Sequence, residues 1–427
     1  MQRLLKKFWS NKFLKGGLFY TASSFLVNLM NYLFNLIAGR SLGPQGYGEL
    51  TALFSYLTLA TVPTVVFSNF VIQKIAGTAD SVAVAKSIEN LFWEKIKRWA
   101  TLFILLLFGS PILAKLTNLS LFLSFTLLLL IYLTVISSIY GSLLQGLQLF
   151  FIYSLIGAVG TLIKLLGALA VLSGLDGIVT IISFIFISSL IGIIYSFKIV
   201  RDHIHSKYKK IKDVPKIERR IIHLLKNPQF ILIFLSIFAL TLFNNADIAF
   251  VKKYFAPLEA GIYSSWALFA KIILYSLGPF IAISFIFFSG QQSDRTERKT
   301  LHFSLLSLIA LGIVSFFAYK YLTFPIINIF FGQKFYSVSP FLTKASIFGT
   351  LYTGIAFLNN FFLAKKSRVC LVLPFSVFFY AISLFFIEKE LSAIMNLNIL
   401  FSALVLIIYL VLYFKFFLTN PKKGYII

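Results

Sequence analysis

Two lysines stand where a lysine is expensive. Lys164 lies within the apolar run 149–172 and Lys271 within 259–288. A cation at the centre of such a run costs about 3 kcal/mol on insertion scales and marks a functional site by default. Lys164 shares a helix face with Gly157, Gly160, Thr161, Gly167 and Ala168, a small face that suits either close helix packing or an open cavity. Lys271 shares a face with Ser264, Tyr275 and Gly278. A cationic pair lining a cavity would suit an anion held away from bulk water. The plainer readings are that each lysine snorkels to the interface or pairs with a carboxylate. Arg40 and Lys344 sit near span ends, where snorkelling accounts for both.

Asp247 is the clearest acid within an apolar run, flanked by Asn244 and Asn245. It reads as a proton or sodium site coupling transport to an ion gradient, with Asn244 completing it. It reads equally as a structural partner of Lys164 or Lys271, or as a helix-end cap. A polar stripe of Ser24, Asn28, Asn31 and Asn35 follows helical spacing. These amides would face inward, to bind sugar hydroxyls or to bridge to a neighbouring helix. Asn359 and Asn360 carry the same two readings. Enzyme chemistry has little to stand on. His203 and His205 beside Asp202 lack a further metal-ligand set, and no glycine loop with Lys-Ser/Thr is present. Cys370 is the sole cysteine, which removes a disulfide framework. No metal, cofactor or catalytic residue is expected.

The elements that must position these residues are transmembrane helices. Of 427 residues, 59% are hydrophobic and 12% charged, half the ~25% charged share of a soluble domain. The apolar residues come in blocks, such as Ile231–Phe243 and Ile399–Phe414. A bilayer core needs spans of about 20 residues, and only helices or closed barrels satisfy the backbone there. No period-two alternation points to a barrel. An all-α polytopic chain follows, with twelve spans near 16–39, 48–73, 97–115, 119–142, 149–172, 177–199, 229–251, 259–288, 301–322, 338–364, 369–387 and 391–418. The first is read as uncleaved, because its apolar stretch is too long for a signal peptide.

Net charge is +25, from 39 Lys+Arg against 14 Asp+Glu. The positives fall between apolar blocks, which points to membrane orientation and anionic headgroups and away from nucleic acid. With the N-terminus inside, the inside segments hold Lys6 and Lys7, Lys74 to Arg98, the stretch Lys198 to Lys226, Arg295 to Lys299, Lys365 to Arg368, and Lys422 with Lys423. Outside segments hold few positives. Both termini are therefore expected in the cytoplasm. The basic stretch divides the chain into an N-terminal six-helix lobe (1–200), a cytoplasmic linker (201–228) and a C-terminal six-helix lobe (229–427). Pro44-x-x-x-Gly48 after span 1 and Pro257-x-x-x-Gly261 after span 7 mark a parallel repeat.

The run Ile37-Ala38-Gly39-Arg40-Ser41-Leu42-Gly43-Pro44-Gln45-Gly46-Tyr47-Gly48 resembles the span 1–2 signature of polysaccharide exporters, within the multidrug/oligosaccharidyl-lipid/polysaccharide (MOP) flippase superfamily. Asn245 to Ala249 through Pro257, Gly261 and Tyr263 resembles the family's span 7–8 segment, and the Gly146 region its short inside loop. The resemblance implies two six-helix lobes, MATE-like, around a central cavity, working by alternating access. It implies a flippase for undecaprenyl-pyrophosphate-linked oligosaccharide in the cytoplasmic membrane. Lys164, Lys271, Arg40, Asn31 and Asn35 would line the cavity, and Asp247 with Asn244 would couple an ion. The expected partners are the lipid-linked anionic oligosaccharide, membrane lipids and the polysaccharide polymerase machinery, with a monomer as the working unit.

Two other functions compete. A cation-coupled multidrug antiporter of the same superfamily should carry several cavity acids. This chain has one such acid against two central lysines, which favours an anionic substrate. A membrane-embedded polysaccharide polymerase or glycosyltransferase should carry a large outside loop, and all the outside loops here are short.

Overall fold

The computed structural model describes residues 12–78, 80–208, 228–289 and 294–419. The basic stretch 209–227 and the terminal Lys6, Lys7, Lys422 and Lys423 lie outside the described residues. In chain order the helices are α1 Lys12–Ala76, α2 Ser81–Leu107, α3 Ser110–Thr117, α4 Leu121–Gly146, α5 Phe150–Leu172 and α6 Gly177–Tyr208. After the linker come α7 Pro228–Phe243, α8 Ala246–Tyr254, α9 Pro257–Ser289, α10 Asp294–Tyr321, α11 Thr323–Phe330, α12 Leu342–Ala364, α13 Val372–Phe386 and α14 Leu391–Thr419. No strand occurs among the described residues.

Nine helical stretches among the described residues are long and apolar enough to cross a membrane. Two bent pairs, α2 with α3 at 59° and α7 with α8 at 41°, raise the count to eleven. α1 is itself two helices joined across Gly43, whose φ of 68° and ψ of −179° break the helix, and a count of nine to eleven with this break is consistent with the twelve spans expected. The sequence explains the break. A φ near +68° suits glycine, and the Pro44 that follows is favoured in the first turn of a new helix. The chain is a multi-pass membrane protein. Side chains such as Phe386, Phe108 and Phe375 stand exposed on helix surfaces, as lipid-facing residues do.

One helix extends well ahead of its expected span. The third span was expected near 97–115 with an amphipathic entry, and α2 begins at Ser81 and carries Lys86, Glu89, Glu94, Lys95, Lys97 and Arg98. This segment is amphipathic: Val82 to Ala85, Ile88 and Glu89 are buried, while Arg98 and Glu94 pair in the open. Asp80 caps it, accepting from the Ala83 amide at 3.2 Å. The bend at Phe108–Gly109 ends α2, and Pro111 then sits in the first turn of α3.

The chain forms two compact units, Met1–Leu42 with Ala60–Lys226, and Gly43–Leu59 with Asn227–Ile427. In the first, α5 packs on α6 through glycine. A Cβ on Gly167 would lie 2.5 Å from Phe184 Cβ, so only glycine permits this approach. The second takes in the arm Gly43–Leu59, which the sequence division puts in the N-terminal lobe. That arm packs on α8 and α9. Thr51 donates to Ser264 Oγ at 2.6 Å, Tyr56 to the Ala249 carbonyl at 3.0 Å, and Lys252 to Glu49 at 3.4 Å. Gly48 and Gly261, the matched glycines of the repeat, meet backbone to backbone. Aromatic packing fills the rest of this unit, with Trp266 stacked on Phe348 at 5.5 Å and Phe243 edge-on to Tyr380 at 4.7 Å.

Candidate functional site

In the first unit, Lys164 is half-buried on α5. Its Nζ donates to Asn31 Oδ1 at 2.7 Å and lies 5.7 Å from the centre of the Phe34 ring. Asn35 Nδ2 donates to the Asn31 carbonyl at 2.8 Å, within the same turn of α1. Three residues picked out by sequence thus form one cluster, Lys164, Asn31 and Asn35. The lysine meets a neutral amide and a ring face there, and among the described residues it makes no ion pair. Arg40 lies nine residues beyond Asn31, about 13.5 Å along the axis and half a turn round. It is exposed and stands outside this cluster.

The small face of α5 does both things its composition allowed. Its far end packs. Ser188 donates to the Gly160 carbonyl at 2.8 Å, and Gly167 abuts Phe184. Its near end is open, since a Cβ on Gly157 would meet nothing within 4 Å.

In the second unit Lys271 is half-buried on α9. Among the described residues no side chain pairs or hydrogen-bonds with it. Asp247, by contrast, is 2% exposed and fully engaged. Tyr263 donates its hydroxyl to Oδ2 at 2.6 Å, Asn398 Nδ2 donates to the same oxygen at 2.9 Å, and the Ile248 amide donates to Oδ1 at 2.8 Å. Tyr380 donates to Asn398 Oδ1. The carboxylate also sits in the first turn of α8, where the helix dipole favours an anion. Lys271 makes no direct ion pair with it, although the carboxylate acts on the ammonium at longer range. Asn244 is not brought to the carboxylate by any hydrogen bond, and the amide that reaches it is that of Asn398.

Asn398, Tyr263 and Tyr380 were missed as partners. The signal was present for Asn398, an amide inside an apolar run. The Asn359 amide bridges helices: Ser236 donates to its Oδ1 at 2.9 Å and Tyr409 at 3.0 Å. Lys344 donates to Ser392 Oγ at 3.0 Å. Glu89, which sequence reasoning passed over, is 3% exposed, with Lys86 at 3.0 Å and the Tyr140 hydroxyl at 3.3 Å. No cluster of three or more His, Cys, Asp or Glu that could hold a metal occurs among the described residues.

The model of the family described as "Polysaccharide biosynthesis protein" matches residues 13–289. No curated protein sequence matches the chain. Among solved structures it resembles an inward-facing multidrug resistance MATE family transporter of the MOP superfamily. The TM-score is 0.69 at 12% identity, over 93% of this chain and 99% of that one. It also resembles the lipid II flippase MurJ in an inward closed conformation, with a TM-score of 0.69 at 16% identity over 92% and 87%. An outward-facing multidrug resistance MATE family transporter of the MOP superfamily matches with a TM-score of 0.58 at 12% identity over 96% and 97%. The all-α, MATE-like fold expected from the sequence is the one found.

Proposed function

Because the chain belongs to the polysaccharide biosynthesis protein family, we propose that it flips an undecaprenyl-pyrophosphate-linked oligosaccharide across the cytoplasmic membrane by alternating access. Both termini and the basic stretch 209–227 face the cytoplasm in this reading, and the protein works as a monomer that supplies the polysaccharide polymerase machinery outside. The observation that carries it is the state of the two lysines. Lys164 meets only a neutral amide and a ring, and Lys271 meets no hydrogen-bond partner among the described residues. A cation held away from water without a direct ion pair is costly, and an arriving pyrophosphate relieves that cost for Lys164 and adds to the longer-range attraction of Asp247 for Lys271. Asn31 and Asn35 steady Lys164, and Arg40 supplies a positive charge near the end of the same helix.

The drug-antiporter reading rests on Asp247, and its geometry weighs against that. A carboxylate 2% exposed, with donors on both oxygens, is not offered to a bulky cation. It suits a small ion or proton, so Asp247 is assigned to coupling. Reconstituted liposomes test both roles. With a labelled undecaprenyl-pyrophosphate lipid, Lys164→Ala and Lys271→Ala should each slow flipping about tenfold, the worth of one charge-assisted hydrogen bond. Unchanged flipping in both variants overturns the electrostatic account. Asp247→Asn should abolish gradient-driven accumulation while leaving downhill flipping. Accumulation that survives in Asp247→Asn excludes coupling at that residue.

A further inference from the structure

The first unit contains a cavity of about 520 Å³ that the lysine and carboxylate sites do not account for. Its volume falls within the ~300–1,000 Å³ of small-molecule sites. It is bounded by the second arm of α1, α4, α5 and α6, at the end of the unit that carries the Gln145–Gln148 connection. None of its lining residues is ionisable at neutral pH, and ten of the sixteen carry a hydroxyl or an amide. These polar groups stand among the aliphatic side chains of Val65, Ile72, Leu133 and Ile156. A site for an anion or a cation would need a counter-charge that is not there.

The hydrogen bonds narrow the ligand further. Thr134 donates to the Leu130 carbonyl, Ser138 to Thr134, Ser142 to Ser138 and Ser189 to Ile185. Each of these four hydroxyls donates to its own helix and keeps lone pairs that can accept from a ligand. Asn69, Ser137 and Ser196 add donors to the same wall, and Gln145, which donates to the Gly141 carbonyl at 3.4 Å, keeps a second N–H. The wall therefore offers acceptors and donors together with no net charge. A fitting ligand carries both kinds of group and no net charge, as the hydroxyls of a sugar do.

The cavity also lines up with the lysine cluster. Tyr153 and Gly157 line it, and Lys164 follows Gly157 by seven residues. About three helical turns from Tyr153 to Lys164 keep these three on one face of α5, with Lys164 about 10.5 Å from Gly157 along the axis. We propose that this cleft is a sugar-binding site, holding the first sugar of the lipid-linked substrate while Lys164 holds its pyrophosphate. The site deepens the flippase assignment and rests on it. The headgroup is read in two parts, an anion by the cation on α5 and a polyol by the hydroxyls and amides that α1, α4 and α6 bring to the neighbouring cleft.

Gly157 allows a test that spares the fold, because its position opens onto free space. Gly157→Leu puts a side chain into the cleft, and Ser137→Leu does so from α4. The probes are undecaprenyl pyrophosphate and the same lipid carrying one N-acetylhexosamine, with binding measured by native mass spectrometry. The wild type should bind the sugar-bearing lipid about tenfold more tightly, as two or so extra hydrogen bonds allow. Both variants should lose that preference and bind the sugarless lipid as the wild type does. Equal binding of the two lipids by the wild type shows a water-filled recess only, and so does a preference that survives both substitutions. Either result overturns the sugar site and leaves the flippase reading standing on pyrophosphate. A parallel loss of both lipids in both variants also overturns it. If the wild type binds neither lipid, the flippase reading falls first.

Discussion

Gly261→Ala should damage the second unit through a single methyl group. A Cβ at this position would lie 1.8 Å from the Pro44 carbonyl oxygen and 2.2 Å from its carbon. Contacts below 3.0 Å are essentially never seen for a Cβ, so one backbone must retreat by about 1.2 Å, from 1.8 to 3.0 Å. Neither side has a rotamer to change, since Pro44 offers main chain and α9 is held by Thr51–Ser264 and by the stacked Trp266. Overpacking of this kind costs about 1–3 kcal/mol. Alanine's better helix propensity returns up to about 1 kcal/mol, so the net change is a loss. Gly157→Ala is the matched control. Its Cβ meets nothing within 4 Å, so only the propensity gain remains and the sign reverses. Thermal unfolding of purified protein in detergent should place Gly261→Ala below the wild type and Gly157→Ala at or above it. A Thr51→Cys, Ser264→Cys pair on a Cys370→Ser background should form a disulfide readily, and less readily once Gly261→Ala is added. A Gly261→Ala protein that melts with the wild type and cross-links as well refutes the claim that the repeat glycines set this contact.

Asn398→Leu leaves Asp247 short of one donor and Tyr380 without its acceptor, and should cost about 1–3 kcal/mol; Tyr263→Phe should cost a similar amount, and the double variant less than the sum, because both act on Oδ2. Additive losses by thermal melt would show that the two donors act independently. A protease site inserted near Lys210 should resist protease added to intact cells and be cut after lysis, and cutting in intact cells would overturn the proposed orientation.

The spans were legible because hydrophobic length is a physical requirement of the bilayer and shows in composition alone. Their irregular ends were less so. The Ser81–Arg98 stretch is a helix whose charge hides it from hydropathy, and only its periodicity would have extended the span. The Lys164–Asn31 contact was half legible. Both residues stood out as costly in lipid, but spacing along one helix cannot say which residue of another helix it meets. Asp247 shows the same limit in reverse. Its importance was plain from its place in an apolar run, and its partners, Tyr263 and Asn398, are 16 and 151 residues away. Tyr263 stood out only as part of the segment that resembles the family, because a tyrosine in a membrane span does not by itself announce a carboxylate partner. The serines and threonines of the cleft were invisible for a related reason. Each alone is an ordinary helix residue bonded to its own backbone, and only the convergence of four helices makes them a surface.

The proposed cycle asks for restraint in binding. A headgroup that must leave on the far side gains nothing from a site that holds it tightly, and a ligand bound equally by two states shifts neither. Lys164 fits that demand better than an arginine–carboxylate network would. Its present partner is a neutral amide at 2.7 Å, so a phosphate exchanges one hydrogen bond for a charge-assisted one, a gain of the order of 1–2 kcal/mol. Direction must then come from outside the anion site, either by removal of product or through an ion at Asp247. In that reading the donors on both Asp247 oxygens keep the carboxylate from repelling an anionic cargo, while its charge still acts on the half-buried Lys271.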